Sequence, residues 1–301
     1  LVLCVGLLLL PKQAKAGACC MSATASGIGR LLSWEKFALG MRSTYRSYQG
    51  YWRSNGEWVP AHKLYEEAEW RSELWAIVGF GKRFSLSARV PVVLNYKYSN
   101  DQSGTGFGMS DVQFGARYDF ISVAESPKFP AIAFRIGGIL PTGRSLNEAA
   151  TPLGVDVTGL GSWILSAGFT IEKIWFPWFL VLNVDGVFPL PHTRKDTGKS
   201  QRLGMGPELS LVMGRELHEW VGGLVVSVNL SFAWADAITH DGQRFEGTSR
   251  ITTGLGVVIS WKFHAHWTVL AGFSSGIFVS HFGKNNIGQM NGTIGLRYGF
   301  F

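Results

Sequence analysis

The chain has 301 residues, including 38 glycines, 20 phenylalanines and 12 tryptophans, and only 16% of its residues are charged. Its formal net charge of +7 comes from bases that are spread along the chain. Because they form no block of Lys and Arg, the composition argues against a nucleic-acid-binding protein. No run of about 18 apolar residues follows the first twenty or so, so the sequence offers no transmembrane helix there, and one large all-β domain fits best.

The N-terminus has the pattern of a secretory signal peptide. Residues 1–10 form an apolar core, and residues 14–18 supply the small side chains that cleavage requires. Cys19 and Cys20 follow directly, and Ala16-Gly-Ala-Cys19 partly fits the motif at which lipoproteins are acylated. We therefore expect an exported protein with a signal peptide at residues 1–18 and a candidate lipidation site at Cys19.

Alternating polarity marks a series of strands along the rest of the chain. In one stretch, Val112, Phe114 and Tyr118 alternate with Gln113 and Arg117. Successive side chains of a strand point to opposite faces, so such a stretch has one apolar and one polar face. The predicted strands lie at residues 34–48, 69–80, 83–98, 110–123, 130–140, 161–174, 178–189, 201–215, 220–235, 248–263, 267–279 and 286–300.

The connections alternate between long polar segments and short turns. Long segments lie at 49–68, 99–109, 141–160, 190–200, 236–247 and 280–285, and short turns at 81–82, 124–129, 176–177, 216–219 and 264–266. Outer-membrane barrels have an even number of strands, short periplasmic turns and longer external loops. The sequence thus predicts an all-β fold: a single closed antiparallel transmembrane β-barrel of about twelve strands. It would occupy residues 34–301 in the outer membrane, after a periplasmic segment at residues 19–33.

Aromatic residues and the C-terminus support this topology. Tryptophans lie near the short turns, and tyrosines and tryptophans near the long loops, as interfacial side chains do. Alternate residues of 294–300 share an apolar face and resemble the signal through which the barrel assembly machinery binds its substrates. That machinery and outer-membrane lipids are therefore the expected partners. Pro91, Pro189 and Pro207 fall inside predicted strands, where we expect bulges or strand ends.

Several motifs, in chain order, carry a family resemblance. They are Leu86-Ser-Ala-Arg-Val-Pro91, Gly108-Met-Ser-Asp-Val-Gln-Phe-Gly-Ala-Arg-Tyr118, Gly138-Ile-Leu-Pro-Thr-Gly143 and Gly159-Leu-Gly-Ser162. They resemble the outer-membrane family named for the MetA pathway of phenol degradation, over residues 84–172. The family pattern has a second glycine where this chain has Ser110. The resemblance implies an outer-membrane barrel associated with the uptake of small, often aromatic, compounds.

The polar strand faces supply candidate lumen-lining residues, among which bases outnumber acids. Such a surplus of positive charge in a narrow passage raises the local concentration of anions. Arg89, Arg117, Arg135 and Arg297 are the leading candidates, because each lies mid-strand on a polar face. The further bases are Lys36, Arg42, Arg46, Arg71, Lys97, Arg202, Arg250 and Lys262, and the acids are Glu69, Glu73, Asp111, Asp119, Glu172, Asp185 and Glu208.

Two functions remain open at this point. The first is an outer-membrane channel for passive uptake of small organic solutes, aromatic or anionic in character. The alternative is a non-conducting structural or assembly barrel whose lumen is plugged by ion pairs. Both are open because side chains just fill a barrel of about eight strands, whereas about sixteen strands leave an open pore.

Other motifs suggest enzymatic or metal chemistry but lack the context for it. Gly272-Phe-Ser-Ser-Gly276 matches a nucleophile elbow, which needs a turn and a helix after the strand, yet it lies within a predicted strand. Ser280 and His281 would point to opposite faces, which disfavours a phospholipase. His264 and His266 supply only two ligands, fewer than a structural metal site needs. We predict no catalytic residue, no metal site and no cofactor, and a small-molecule solute as the ligand.

Overall fold

The computed structural model describes residues 30–32, 34–61, 65–123, 129–194 and 197–301. The predicted signal peptide and Cys19 lie outside these residues. Within them, no helix has both the length and the apolar character needed to cross a membrane.

Twelve long antiparallel strands form the wall of a barrel. They are β1 (Phe37–Trp52), β2 (Tyr65–Phe80), β3 (Phe84–Ser99), β4 (Val112–Ile121), β5 (Ala131–Leu140), β6 (Ile164–Trp175), β7 (Trp178–Pro189), β8 (Gly206–Glu216), β9 (Leu224–Ala235), β10 (Arg250–Trp261), β11 (Trp267–Gly276) and β12 (Asn286–Phe300). Each strand pairs with the next in sequence, and β12 pairs with β1 from Phe37↔Phe300 to Trp52↔Asn286. The predicted closed twelve-stranded barrel is confirmed.

The outer face of the wall is apolar. In β3, for example, Leu86 and Leu94 are exposed on the outside, whereas Arg89 and Asn95 point inward. Exposed tryptophans lie at both ends of the wall, among them Trp175 near a short turn and Trp70 toward a long loop. A continuous apolar band with aromatic side chains at its edges is the surface that a bilayer covers.

The two ends of the barrel differ, and we call them the turn end and the loop end. The turn end carries both ends of the strand-bearing chain and the connections 81–83, 122–130, 176–177, 217–223 and 262–266. The loop end carries the longer connections 53–64, 100–111, 141–163, 190–205, 236–249 and 277–285. Two loops contribute a small four-stranded sheet there, from His192–Thr193, Ser200–Arg202, Thr239–His240 and Gln243–Arg244.

One part of the wall is taller than the sequence predicts. The strand Gln102–Met109 pairs with the second half of β3, so it extends the wall at the loop end. β3 therefore changes partner midway, since its residues 84–89 pair with β4. Pro91 lies at this change, where its carbonyl accepts the amide of Ser110 at 2.9 Å. Pro189 and Pro207 lie at or next to strand ends, so none of the three prolines interrupts a continuous ladder.

The segment before β1 enters the turn end of the barrel. Leu32 is buried there, in a cluster with the inward-facing side chains of Phe179, Val181, Val212 and Val225. Residues 30–32 thus lie inside the wall, although the sequence pattern predicts a periplasmic segment at residues 19–33. An apolar side chain in such a cluster is withdrawn from water, which favours the inserted position of this segment.

Candidate functional site

The lumen has two chemically different walls. The inward faces of β1–β8 carry most of the charged side chains, and we call them the charged wall. The inward faces of β9–β12 form the uncharged wall, because between their ends they carry small, mostly polar residues. These include Ser227, Asn229, Ser231, Gly254, Gly256, Gly272, Ser274, Asn291, Thr293 and Gly295.

On the charged wall, two glutamates of β2 are each shared between two arginines. The Glu73 carboxylate lies 2.5 Å from Arg42 and 3.5 Å from Arg89. The Glu69 carboxylate lies 3.0 Å from Arg46 and 3.8 Å from Arg71. Each group of two arginines and one glutamate therefore has one positive charge in excess. The residues of each group lie on neighbouring strands of the wall.

The next ion pairs along the wall are one-to-one. Arg117 donates to Asp119 on the same face of β4, at 2.6 Å and 3.0 Å. Arg135 on β5 reaches Asp185 on β7 at 2.5 Å, across the intervening strand β6. This reach passes over Gly168, where a Cβ would overlap the Asp185 carboxylate and the Val184 carbonyl oxygen. A glycine at this position is therefore required for the pair to form.

A cavity of about 360 Å³ lies against the charged wall. Its floor is a row of small inward residues that are paired across four strands: Ser87, Gly115, Gly137 and Ser166. The small side chains of this row leave the space that forms the cavity. Charged and polar side chains surround it. Those that bear on its chemistry are Arg30, Arg89, Gln113, Arg117, Arg135, Thr170, Glu172, Asn183, Asp185 and Glu208.

The structure distributes the sequence-predicted lumen residues over several places. Arg89, Arg117, Arg135, Glu172 and Glu208 line the cavity. Arg42, Arg71 and Asp119 point inward within the ion pairs described above, and Arg250 is exposed at the loop end. Arg297 and Asp111 lie elsewhere, and Glu172 is almost completely buried.

Arg297 belongs to the inserted N-terminal segment and not to the passage. Its guanidinium forms a two-point ion pair with Glu35, and both side chains are buried at the turn end. Glu35 also accepts the amide of Leu32 at 2.9 Å, which closes the turn that carries Leu32. Glu172 is similarly engaged, since Arg30 lies 3.2 Å from its carboxylate. These contacts correct the expectation that Arg297 faces the passage.

Asp111 is an anchor for a loop and not a lumen-lining residue. It is 3% exposed at the break between Gln102–Met109 and β4. Its carboxylate accepts the amides of Gly143 at 2.9 Å and Leu160 at 2.6 Å, which lie near the two ends of loop 141–163. Each of the two carboxylate oxygens thus accepts one amide of the loop, which fixes the loop to the wall.

Loop 141–163 packs against the inner face of the tall part of the wall. The Asn95 amide donates to the carbonyls of Val155 at 3.0 Å and Val157 at 2.7 Å. Within the loop, Asp156 accepts bonds from the Thr151 hydroxyl, the Ala150 amide and Arg144. These donors hold the pKa of Asp156 well below its usual range. The loop is therefore internally bonded and narrows the loop end.

An aromatic cluster occupies another part of the loop end. The rings of Trp52 and Trp58 lie 4.5 Å apart, and Phe278 stacks on Trp58 at 4.8 Å. The Trp52 indole N–H donates to the Val279 carbonyl at 3.0 Å, which ties loop 277–285 to β1. The loop end is thus narrowed both by loop 141–163 and by this aromatic cluster.

Three inward acids escaped the sequence analysis, and they reduce the expected positive surplus. Glu67 lies in β2 and pairs with Lys97 at 3.5 Å. It alternates in phase with Glu69 and Glu73, so extending the predicted strand would have found it. Glu35 and Glu216 are buried at the turn end. Their burial depends on how the segment before β1 and the end of β8 pack together. A local sequence pattern does not encode such packing.

The other motifs of the sequence analysis adopt plain structural roles. Residues 272–276 run as the end of β11 and pair with β10, without the turn and helix of a nucleophile elbow. The rings of His264 and His266 lie 5.7 Å apart in a turn. Among the described residues, no group of three or more His, Cys, Asp or Glu side chains is arranged to hold a metal ion.

Comparison with solved structures supports the fold. The chain superposes on the COG4313 outer membrane channel from Pseudomonas putida F1 with a TM-score of 0.70, at 13% sequence identity, over 88% of this chain and 96% of that one. It also resembles the NanC porin, with a TM-score of 0.50 at 9% identity, over 86% of this chain and 98% of the porin. This chain folds as an outer-membrane β-barrel. No protein-family model and no curated protein sequence matches it.

Proposed function

We propose that this protein is an outer-membrane channel for the passive uptake of small organic solutes. The observation that carries this proposal is the cavity of about 360 Å³ inside a closed barrel, lined by Arg89, Arg117 and Arg135. Guanidinium groups recognise carboxylates through paired hydrogen bonds, so an anionic group of the solute would bind there. Both structural neighbours reported above are described as a channel or a porin, which supports the same function.

The sequence motifs support a place in the MetA-pathway family, and with it a preference for compounds that contain an aromatic ring. The apolar part of such a solute would lie along the small side chains of the cavity floor and the uncharged wall. The barrel assembly machinery, binding through β12, is the proposed partner in membrane insertion. We assign no catalytic step to this chain.

The rival function is a barrel that is held closed. The buried Leu32 cluster and the Arg297–Glu35 pair favour it, because both hold the segment before β1 inside the turn end. The two functions differ in whether a refolded protein passes ions, since a closed scaffold conducts nothing.

The test is the reversal potential of the refolded protein in a planar bilayer under a KCl gradient. We expect measurable current with a mild preference for chloride, because two carboxylates of the charged wall are each shared by two arginines. Arg89→Gln removes one of these positive charges and should lower the chloride preference.

The matched control is Arg215→Gln, which removes the same charge near the turn end of β8, on the strand face that points away from the lumen. It should leave the reversal potential unchanged. A correctly folded protein that passes no current would exclude the channel. An equal shift in both variants would show that net charge, and not the cavity, sets the preference.

A further inference from the structure

The cavity carries opposite uncompensated charges on its two sides. On one side, Arg42 and Arg89 share the single carboxylate of Glu73, which leaves one positive charge over. On the other side, among the described residues, no basic side chain lies within salt-bridge distance of the Glu208 carboxylate. Glu208 is exposed to the lumen. Both Arg89 and Glu208 line the same cavity.

Barrel geometry places these charges across the lumen from one another. Glu73 lies on β2 and Glu208 on β8, and six of the twelve strand positions separate the two strands. Strands six places apart in a closed ring of twelve are opposite each other. The two excess charges therefore face one another through the cavity, and they do not lie side by side on one wall.

The space between the two charges is electrically neutral. Arg135 and Asp185 compensate each other at 2.5 Å over Gly168, and Arg117 is compensated by Asp119 at 2.6 Å. Arg30 and Glu172, which also line the cavity, lie 3.2 Å apart and compensate each other, and the other polar side chains there are uncharged, such as Gln113, Thr170 and Asn183. A solute that spans the cavity would meet one positive end, a polar middle and one negative end.

The position of Glu208 is costly unless a cation is bound. Its direct cross-strand neighbour is Asp185, and like charges directly opposite each other on neighbouring strands destabilise a sheet. Arg135 relieves Asp185, whereas Arg250 attracts Glu208 only from a distance and forms no salt bridge with it. An ammonium group beside Glu208 would remove this repulsion.

We propose that the cavity binds zwitterionic solutes whose cationic and anionic groups are several bonds apart. The anionic group pairs with Arg89 and the cationic group with Glu208. This inference rests on the proposed function, because it names the class of solute that the channel takes. It adds Glu208 as a residue that determines specificity.

The test uses three probes of equal chain length: 6-aminohexanoate, hexanoate and hexylammonium. Their binding to the refolded protein in detergent is measured by calorimetry, which does not depend on conduction. We expect 6-aminohexanoate to bind roughly tenfold more tightly than hexanoate, because it adds one charge-assisted contact in a confined site. Hexylammonium should bind more weakly than the zwitterion, since it lacks the contact with Arg89.

Two variants separate the local contact from net charge. Glu208→Gln should abolish the advantage of 6-aminohexanoate while retaining the binding of hexanoate. Glu67→Gln is the matched control: it removes an inward carboxylate that pairs with Lys97 and does not line the cavity. It should leave the advantage intact.

The proposal is overturned if 6-aminohexanoate binds no more tightly than hexanoate. It is also overturned if the advantage survives Glu208→Gln, or if Glu67→Gln removes it equally. These outcomes are distinct from failure of the channel. A protein that passes no current but shows the Glu208-dependent advantage would retain the binding site and lose the proposed uptake.

Discussion

At the scale of single residues, Asp111 shows how one carboxylate organises a loop. The sequence places it on the polar face of a strand, and alternation alone predicts that it faces the lumen. The structure instead interrupts the strand at Ser110 and Asp111, which turns the carboxylate toward the amides of Gly143 and Leu160. The Gly-x-x-Asp motif is thus a loop anchor, and the family resemblance located it without revealing its role.

Asp111→Asn should release loop 141–163 and leave the barrel folded. The asparagine side chain keeps the size but replaces one acceptor oxygen with a donor that faces an amide N–H. An unsatisfied group of this kind costs about 1–3 kcal/mol. We expect faster tryptic cleavage after Arg144 and unchanged heat modifiability on gels. Asp101→Asn, in a neighbouring loop, is the control, and equal cleavage rates in the two variants would contradict the anchoring role.

At the scale of structural elements, the strands follow their sequence patterns closely, and the exceptions have a physical cause. Gln102–Met109 is a strand although its glycines gave no alternation of polarity. Glycine is required there because the loop packs directly on it: a Cβ at Gly106 would overlap the Val155 carbonyl. The glycines that this contact requires take the places of the alternating polar and apolar residues by which a strand is recognised in a sequence.

One larger side chain on the cavity floor should occupy part of the cavity. Gly115 lies in β4, and a Cβ there would meet the Ser87 hydroxyl at 3.1 Å. Gly115→Val suits a strand and should lower single-channel conductance, because its side chain occupies the cavity. Gly292→Val adds the same side chain on the lipid-facing surface, where nothing lies within 4 Å. Equal conductance in the two variants would show that ions bypass the cavity.

The inserted N-terminal segment offers a second test at this scale. Leu32→Ala removes the apolar contact with Phe179, Val181, Val212 and Val225, and buried leucine-to-alanine changes cost about 2–5 kcal/mol. The segment should leave the turn end more often, which would raise the time spent in the conducting state in planar bilayers. Leu190→Ala, at an exposed position, should not change gating. An unaltered open time for Leu32→Ala would show that the cluster does not limit the current.

At the scale of the whole molecule, closure of the barrel depends on the last strand. Phe300 is the end of β12, and its ring lies 5.2 Å from that of Phe37 on β1. Phe301 follows the strand and is exposed. The apolar phase of the C-terminal signal therefore includes Phe300, as the sequence predicts.

Phe300→Ala should reduce insertion by the assembly machinery more than Phe301→Ala does. The measurement is the heat-modifiable fraction after incubation with vesicles that contain the machinery, with spontaneous folding in detergent as the reference. Equal folding in detergent together with a selective loss in vesicles would support recognition of the apolar face. Equal losses for both variants in vesicles would contradict it.

The wall of this molecule was determined by the sequence itself. Which face of a strand a residue occupies is a local property of the chain, so alternation, turn lengths and aromatic positions were enough to predict a closed twelve-stranded barrel. The contents of the lumen were decided only by the tertiary structure. Glu73 binds arginines from two other strands, Leu32 packs on strands β7–β9, and Asp111 bonds both ends of a distant loop. Such contacts join residues far apart in sequence, and no local pattern encodes which partner a charge will meet.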